Sequence, residues 1–229
     1  EFAAKAQYKT ALVYEKMGEI ENSVEEYVKL AYKYPDHELI PMVMSRLGDY
    51  FQKKGQQFKD RAKPLREKVD ELSVAEVLRL DGLSYPEFLN AAMVFTKLLT
   101  RFPDDPLAGL AGIRSGQNFM RALQYEKAID VFQDIIDNEE FDGGKIRAQA
   151  LFWGAYSREL YPTSEDDYRT RGTMIREAYQ MYRRITFDFP DSIWAKRARG
   201  RLADPVFERI FEQENEARER LIENIKSMR

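Results

Sequence analysis

The chain has 229 residues, of which 44% are hydrophobic and 33% are charged, a balance that is typical of one large globular domain or two small ones. Its formal net charge of −3 gives no overall basic field for nucleic acid, and no run of about 18 apolar residues predicts a membrane span. The absence of cysteine excludes disulfides, thiolate chemistry and cysteine-ligated metals, and it fits an oxidising compartment.

The first repeat unit extends from about Phe2 to Tyr34, as two helices with a turn around Gly18. In its second helix, apolar or small residues stand at i, i+4 and i+7 and predict one buried stripe, formed by Ser23, Tyr27 and Leu30. Because the helical pattern is already present at the first residues, we expect the chain to be trimmed, with any signal or lipid anchor lying outside it.

An aromatic residue, a proline and an aspartate recur together around Pro35, Pro103 and Pro190. Each proline follows a predicted helix that it cannot continue, and the aspartate suits the N-cap region of the next helix. Thirteen residues past each proline stands a small residue, which predicts a close approach of two helices: Gly48, Gly116 and Ala203.

An arginine follows each repeat proline by eleven residues, at Arg46, Arg114 and Arg201. The arginine stems could cover the groove between helices while the guanidinium groups stay in water. The alternatives are that these arginines bridge neighbouring repeats through ion pairs with acidic groups, or that they bind a ligand directly.

Residues 55–85 depart from the regular pattern, because Asp60 and Pro64 stand where a repeat would carry alanine and an aromatic residue. A proline inside a helix costs about 3 kcal/mol. We therefore expect irregular structure over 55–63, a helix from Pro64 to Leu80 and a break over 81–86. The second helix of a third repeat would then run from Pro86 to Arg101.

The fourth repeat spans about 104–138, and the fifth opens at Lys145 with Gly154 at its packing position. Twelve extra residues predict an insertion at 161–172 before the second helix of the fifth repeat. Residues 205–229 predict an amphipathic helix that caps residues 1–204, with a dimer contact as the alternative role. Its apolar stripe consists of Phe207, Ile210, Phe211, Leu221, Ile225 and Met228.

The first two repeat prolines are 68 residues apart, which is twice the 34-residue period of tetratricopeptide repeats (TPRs). Residues 115–136 also carry the TPR consensus spacing at Gly116, Phe119, Tyr125, Ala128, Phe132 and Ile135. The chain therefore resembles the TPR family over residues 10–55 and 86–203. This resemblance implies an all-α fold, a right-handed superhelical solenoid of about five TPR-like helical hairpins plus a long C-terminal capping helix.

The motifs "FPDDPL" and "FPDSIW" resemble those of a bacterial cell-envelope subgroup of TPR proteins. That subgroup includes outer-membrane assembly TPR lipoproteins and Tol–Pal-associated periplasmic TPR proteins. The second resemblance implies the periplasm or the periplasmic face of the outer membrane, and the cytoplasm is the alternative location.

Residues that would indicate catalysis or metal binding are scarce. The single histidine, His37, stands in a Pro-Asp turn and fits a surface or capping role. "GLAGIRSG" lacks the lysine of a phosphate-binding loop, and "DNEEFDGG" lacks the ligand pattern of a calcium-binding EF-hand. The basic run at 195–201 is a solvated helix face. We therefore predict no enzyme activity, no cofactor, no metal and no nucleic-acid partner.

The TPR resemblance implies that a partner peptide or helix binds a concave groove lined by the first helix of each repeat. The predicted function is thus a non-enzymatic interaction scaffold or adaptor in a bacterial envelope complex. The alternatives are a structural module that self-associates through its C-terminal helix, or a helical domain excised from a larger protein. By register, the groove residues are Tyr8, Leu12, Met42, Ser45, Asp49, Gln52, Ile113, Gln117, Met120, Leu151 and Arg158.

Overall fold

The computed structural model describes residues 2–141, 144–164, 167–209, 212 and 220. The described residues form helices and connecting loops, with no β-strand among them, which confirms the all-α prediction. None of the helices in this part of the chain is long and apolar enough to cross a bilayer. The chain divides into two compact units, Glu1–Val131 and Phe132–Arg229. The superhelical arrangement of all repeats stays a prediction.

The first unit contains five complete α-helices and the start of a sixth. They are α1 (Phe2–Met17), α2 (Ile20–Lys33), α3 (Ile40–Ala62), α4 (Glu71–Arg101), α5 (Ala108–Arg121) and α6 (Tyr125–Asp137), in which the division falls. A short 3₁₀ helix, Lys63–Leu65, follows α3.

Further helices follow in the part of the second unit that the structure describes. After a 3₁₀ turn at Glu139–Phe141 come α7 (Lys145–Leu160), α8 (Tyr168–Asp188) and α9 (Ile193–Leu202), and residues 205–209 are again helical.

The predicted apolar stripes are the buried faces of α2, α4 and α8. Ser23, Tyr27 and Leu30 are all buried in α2. The same spacing buries Ala91, Phe95 and Leu98 in α4, and Ala178, Tyr182 and Ile185 in α8. The helical periodicity of the sequence therefore identifies the core side of these three helices correctly.

The segment predicted as repeats 2 and 3 is instead one long hairpin. Helix α3 has 23 residues and α4 has 31, and the two helices pack against each other. The predicted irregular stretch at 55–63 is helical as far as Ala62. The 68-residue spacing of the first two prolines thus comes from one lengthened hairpin rather than from two ordinary repeats.

Two details explain why the predicted helix from Pro64 to Leu80 is wrong. Pro64 lies in the 3₁₀ helix just after α3, where its missing N–H group breaks no α-helical hydrogen bond of α3. Helix α4 begins only at Glu71, because Asp70 is its N-cap and Asp70 Oδ1 accepts a hydrogen bond of 2.9 Å from the Ser73 N–H group.

The predicted break over 81–86 is also wrong, since α4 continues through it with Pro86 inside. Burial on both sides of the proline explains this continuity. Leu80, Ser84 and Phe88 are each at most 1% exposed. The packing of this stripe outweighs the cost of about 3 kcal/mol for an internal proline.

Two glycines let α3 approach α4 closely. A Cβ atom at Gly48 would lie 2.5 Å from the Phe95 ring, and one at Gly55 would lie 2.9 Å from the Phe88 ring. Both rings are buried, with exposures of 0% and 1%. The small residue predicted at position 48 is therefore required by the hairpin, and Gly55 repeats the same contact two turns later.

A three-membered ion cluster holds the far end of the hairpin together. Asp81 of α4 binds Lys59 of α3 at 2.9 Å and Arg66, just past the 3₁₀ helix, at 2.6 Å. Burial raises the pKa of the Asp81 carboxyl, but these two cations lower it by more, so its pKa lies below the usual value. The cluster joins the ends of both helices to the connection between them.

The aspartates of the proline motifs do not act as N-caps. Helix α3 begins at Ile40 and α5 at Ala108, several residues past each motif, and neither helix has a side-chain cap. Asp36 instead accepts a hydrogen bond of 2.6 Å from Arg101, at the end of α4. In the third motif Ser192 is the N-cap, since its Oγ accepts from the Ala195 N–H group at 3.0 Å.

The predicted insertion at 161–172 is partly helical. Residues 161–164 are not helical, and α8 begins at Tyr168, where Asp167 Oδ1 accepts from the Thr170 N–H group at 3.1 Å. The second half of the expected loop is thus an extra turn of α8.

The start of the predicted capping helix packs on α8. Phe207 is 0% exposed, and its ring lies 6.2 Å from that of Tyr179 and 5.8 Å from that of Tyr182. This contact agrees with a capping role for the residues around Phe207. The remaining stripe residues, Ile210, Phe211, Leu221, Ile225 and Met228, lie outside the described residues.

We expect Gly48→Ala to lower the free energy of unfolding by about 2 kcal/mol, because the buried Phe95 ring cannot move away from the new methyl group. The control is Gly82→Ala in α4, where a Cβ atom would meet nothing within 4 Å. It should raise stability by about 0.5–1 kcal/mol. Urea titration followed by circular dichroism measures both variants, and equal effects would contradict the close-packing role of Gly48.

Candidate protein-binding groove

Polar contacts join α1, α3 and α5 along one row in the first unit. Arg46 of α3 binds Glu15 of α1 at 2.7 Å, and Arg114 of α5 binds Asp49 of α3 at 2.6 Å. These two recurring arginines therefore bridge successive first helices, as the ion-pair alternative predicted.

Neutral contacts run beside these ion pairs. The Tyr8 hydroxyl of α1 donates to the Met42 sulfur of α3 at 2.7 Å. Asn118 of α5 donates to the Gln52 side-chain oxygen of α3 at 2.9 Å. Helix α3 thus lies between its two neighbours and carries contacts to both.

Burial and neighbouring charges shift the pKa values of the residues in this row in opposite directions. Burial lowers the pKa of Arg46, but Tyr8, Tyr27 and Glu15 raise it by more, so the guanidinium stays charged. Burial raises the pKa of the Asp49 carboxyl, and the charges of Arg114 and Arg46 offset only part of that increase. Asp49 is therefore easier to protonate than an ordinary aspartate.

A small cavity of about 170 Å³ opens beside the Glu15–Arg46 pair. Its polar wall includes Glu15, Arg46 and Asp49, and its other side comes from α2. Ser23 and Tyr27 belong to that side, where the Tyr27 hydroxyl donates to Glu15 at 3.1 Å. The Glu15 carboxylate is thus held by Tyr27 and Arg46 together.

A larger groove of about 640 Å³ lies next to this cavity along α3. We call it the α2–α3 groove, because the start of α2 forms one side and the second half of α3 forms the other. It is lined by Ile20, Glu21, Tyr50, Lys53, Lys54, Gln57, Phe58, Asp60 and Arg61. Ile20, Tyr50 and Lys53 also line the small cavity, so the two spaces are neighbours.

The cationic side chains of the α2–α3 groove differ in how accessible they are to a partner. Lys54 binds Glu87 at 2.7 Å, and this hydrogen bond raises its pKa. Lys53 and Arg61 are exposed at the rim of the groove. Tyr50 and Phe58 add aromatic surface to the groove. The exposed acidic residues Glu21 and Asp60 line it as well, so its accessible charge is of both signs.

The groove residues after position 52 were absent from the predicted set, because 55–63 was predicted to be irregular. A signal for them exists in the sequence. Gly48 and Gly55 are seven residues apart, and so are Phe51 and Phe58, which is the spacing of a helical stripe that continues past position 55.

The predicted groove residues do not share one surface. Tyr8, Leu12, Ser45, Gln52 and Gln117 are partly exposed, and Met42 and Asp49 are exposed. Of these seven residues, only Asp49 lines the small cavity, and none lines the α2–α3 groove. They instead follow the row of contacts along α1, α3 and α5.

Three predicted groove residues belong to the core. Ile113 is 0% exposed, Leu151 1% and Met120 8%, so they offer almost no side-chain surface to a partner. The prediction fails for these residues because the register of a repeat places them at the helix surface, whereas neighbouring helices cover them here.

Arg158 is also buried, with an exposure of 8%. It donates to Glu177 at 2.7 Å and to the Gly154 carbonyl at 3.2 Å, within the second unit. With its charge paired in this way, Arg158 holds α7 to α8, and it lines a cavity of about 350 Å³ together with Leu151.

The third recurring arginine, Arg201, lies in a more buried ion pair. Arg201 of α9 and the Tyr182 hydroxyl of α8 both donate to Glu159 of α7, whose side chain is only 7% exposed. Burial raises the pKa of Tyr182, and Glu159 raises it further. This cluster links α7, α8 and α9.

The described residues contain no group of three or more histidine and acidic side chains that could hold a metal ion. His37 has a local role, since its Nδ1 accepts from the Leu39 N–H group at 3.2 Å. The site as a whole offers shape, apolar surface and charge for binding.

We expect Glu159→Gln to lower the free energy of unfolding by about 2 kcal/mol, because Arg201 loses its charged partner in a mostly buried cluster. The matched variant, Glu15→Gln, removes a pair whose side chains are 40% and 36% exposed, and should cost about 0.5 kcal/mol. Urea unfolding measures both, and a larger loss for Glu15→Gln would contradict this ranking.

Residues 5–37, which cover most of α1, all of α2 and the start of the first proline motif, match the tetratricopeptide repeat family. No curated protein matches the chain. The match supports the TPR resemblance, and TPR repeats generally mediate protein–protein interaction in a non-enzymatic role.

Proposed function

We propose that this protein is a non-enzymatic adaptor that holds a segment of a partner protein in the α2–α3 groove. The observation that carries the proposal is an open groove of about 640 Å³ beside the helices that match the TPR family. A preformed groove on packed helices loses little entropy on binding, which favours recognition of an extended segment.

The lining of the groove indicates the chemistry of the segment. Tyr50 and Phe58 offer rings against which an apolar or aromatic side chain can pack. Lys53 and Arg61 stand exposed beside them and would attract carboxylates. The two exposed acidic residues of the lining would attract cations in the same way. The groove therefore favours a segment in which an aromatic or aliphatic residue is flanked by both acidic and basic residues.

The exposed residues among those predicted for the groove would extend the contact with the partner segment. Asp49 borders the small cavity next to the groove, and Met42 is 44% exposed on the same helix. We propose that a longer partner segment follows α3 from Phe58 towards Met42, past Asp49.

We also propose that the protein works in the bacterial envelope, on the periplasmic side. The support is the resemblance of the proline motifs to the envelope subgroup and the absence of cysteine. Fractionation of cells that express the tagged native gene measures the location. Recovery in the cytosol alone would reject this compartment.

Selection of random peptides displayed on phage tests the groove. We expect enriched peptides to carry an aromatic or aliphatic residue flanked by acidic and basic residues. Lys53→Glu and Tyr50→Ala should each weaken their binding about tenfold, measured by fluorescence anisotropy. Binding should also weaken as salt concentration rises.

The control for this selection is Lys97→Glu, which makes the same charge change at an exposed position of α4 outside the groove. It should leave peptide affinity unchanged. If Tyr8→Ala weakens binding while Tyr50→Ala does not, the partner binds the row of first helices instead of the α2–α3 groove.

A further inference from the structure

The first half of α4 presents an apolar face to solvent in the part of the chain that the structure describes. Leu72 is 84% exposed and Leu78 67%, and Ala75 between them is exposed as well. The opposite face of the same segment is buried, at Ser73, Leu80 and Ser84. The exposed leucines thus belong to a well-packed helix that still has one uncovered side.

The charges on this face are arranged symmetrically about Ala75. Leu72 and Leu78 lie three residues to either side, and Glu71 and Arg79 lie four residues to either side. At 3.6 residues per turn, all five positions fall on one side of the helix. Along the helix axis, the side chains of this face are therefore acidic, apolar, small, apolar and basic, in that order.

This order is complementary to itself when two copies of α4 run antiparallel. Leu72 of one copy then lies opposite Leu78 of the other, and Glu71 lies opposite Arg79 twice. Ala75 meets its own copy at the crossing point, where a small side chain allows close approach. A parallel pair would instead place Glu71 opposite Glu71 and Arg79 opposite Arg79.

We propose that the protein forms a two-fold symmetric dimer through this face of α4. Arg79 already binds Glu76 of its own helix at 2.7 Å, yet its side chain remains 55% exposed, so the carboxylate of a second copy can reach it. The area offered by one helix pair lies at the low end for specific association, so the dimer is concentration-dependent.

The α4 face is separate from the α2–α3 groove, because none of its five residues lines that groove. It is also separate from residues 205–229, the segment that the sequence suggested for self-association. Loss of the dimer and loss of peptide binding can therefore be observed independently.

A charge-exchange experiment tests the proposal with the full chain. Sedimentation equilibrium should find a reversible dimer for the natural sequence. Glu71→Arg and Arg79→Glu should each lower the association constant by about tenfold or more, because each places like charges opposite each other. An equimolar mixture of the two variants should associate again, since every facing pair then has opposite charges.

Thermal unfolding of each variant checks that the helices remain folded. A natural chain that stays monomeric at all concentrations would overturn the proposal. So would single variants that dimerise like the natural chain, since the contact would then lie on another surface.

A cross-linking experiment gives a second readout, because the chain contains no cysteine. Ala75→Cys should form a disulfide between two copies under mild oxidation, since Ala75 faces itself across the two-fold axis. Lys97→Cys, exposed further along α4, should not. Equal cross-linking of both variants would reject the antiparallel register.

Discussion

The first unit depends on the contact between two glycines of α3 and two phenylalanine rings of α4. Gly48 faces Phe95 and Gly55 faces Phe88, at distances that leave no room for any side chain on α3. This close packing keeps the two longest helices of the unit together over most of the length of α3. The second half of α3 reaches past the turn that joins α1 and α2, and the α2–α3 groove is the space that results.

Electrostatic contacts have a different role in the two units. In the first unit the Arg46 and Arg114 pairs are about one third to one half exposed, so they fix the relative register of α1, α3 and α5 without adding much stability. In the second unit the Glu159 carboxylate is nearly buried and receives both Arg201 and Tyr182. The same arginine position in the repeat thus binds an exposed carboxylate twice and a nearly buried one once.

The helical character of the chain and the buried faces of its helices could be predicted, because apolar residues at i, i+4 and i+7 depend only on helix geometry. The long hairpin could not, since a spacing of 68 residues fits two short repeats as well as one lengthened hairpin. Pro64 and Pro86 favoured the interpretation as two short repeats, which is wrong. Whether a proline breaks a helix depends on the packing around it, which the local sequence does not specify.

The same limit applies to the candidate site. The three arginines could be identified from the sequence because each of them stands at the same distance from a repeat proline. The α2–α3 groove was missed because its second half follows from the continuation of α3 beyond position 55. Ile113 and Leu151 were assigned to the surface by repeat register, yet neighbouring helices bury them. Register gives the position of a residue on its helix but not what covers it.

The spacing of the glycine–ring contacts has a consequence for how such a hairpin changes in evolution. Seven residues separate Gly48 from Gly55, and seven separate Phe88 from Phe95. The two arms therefore repeat the same contact after an equal number of turns. Insertion or deletion of seven residues in both arms at once would preserve the pairing of glycine with ring. The length of this hairpin, and with it the depth of the neighbouring groove, can thus vary in two-turn steps without rebuilding the interface.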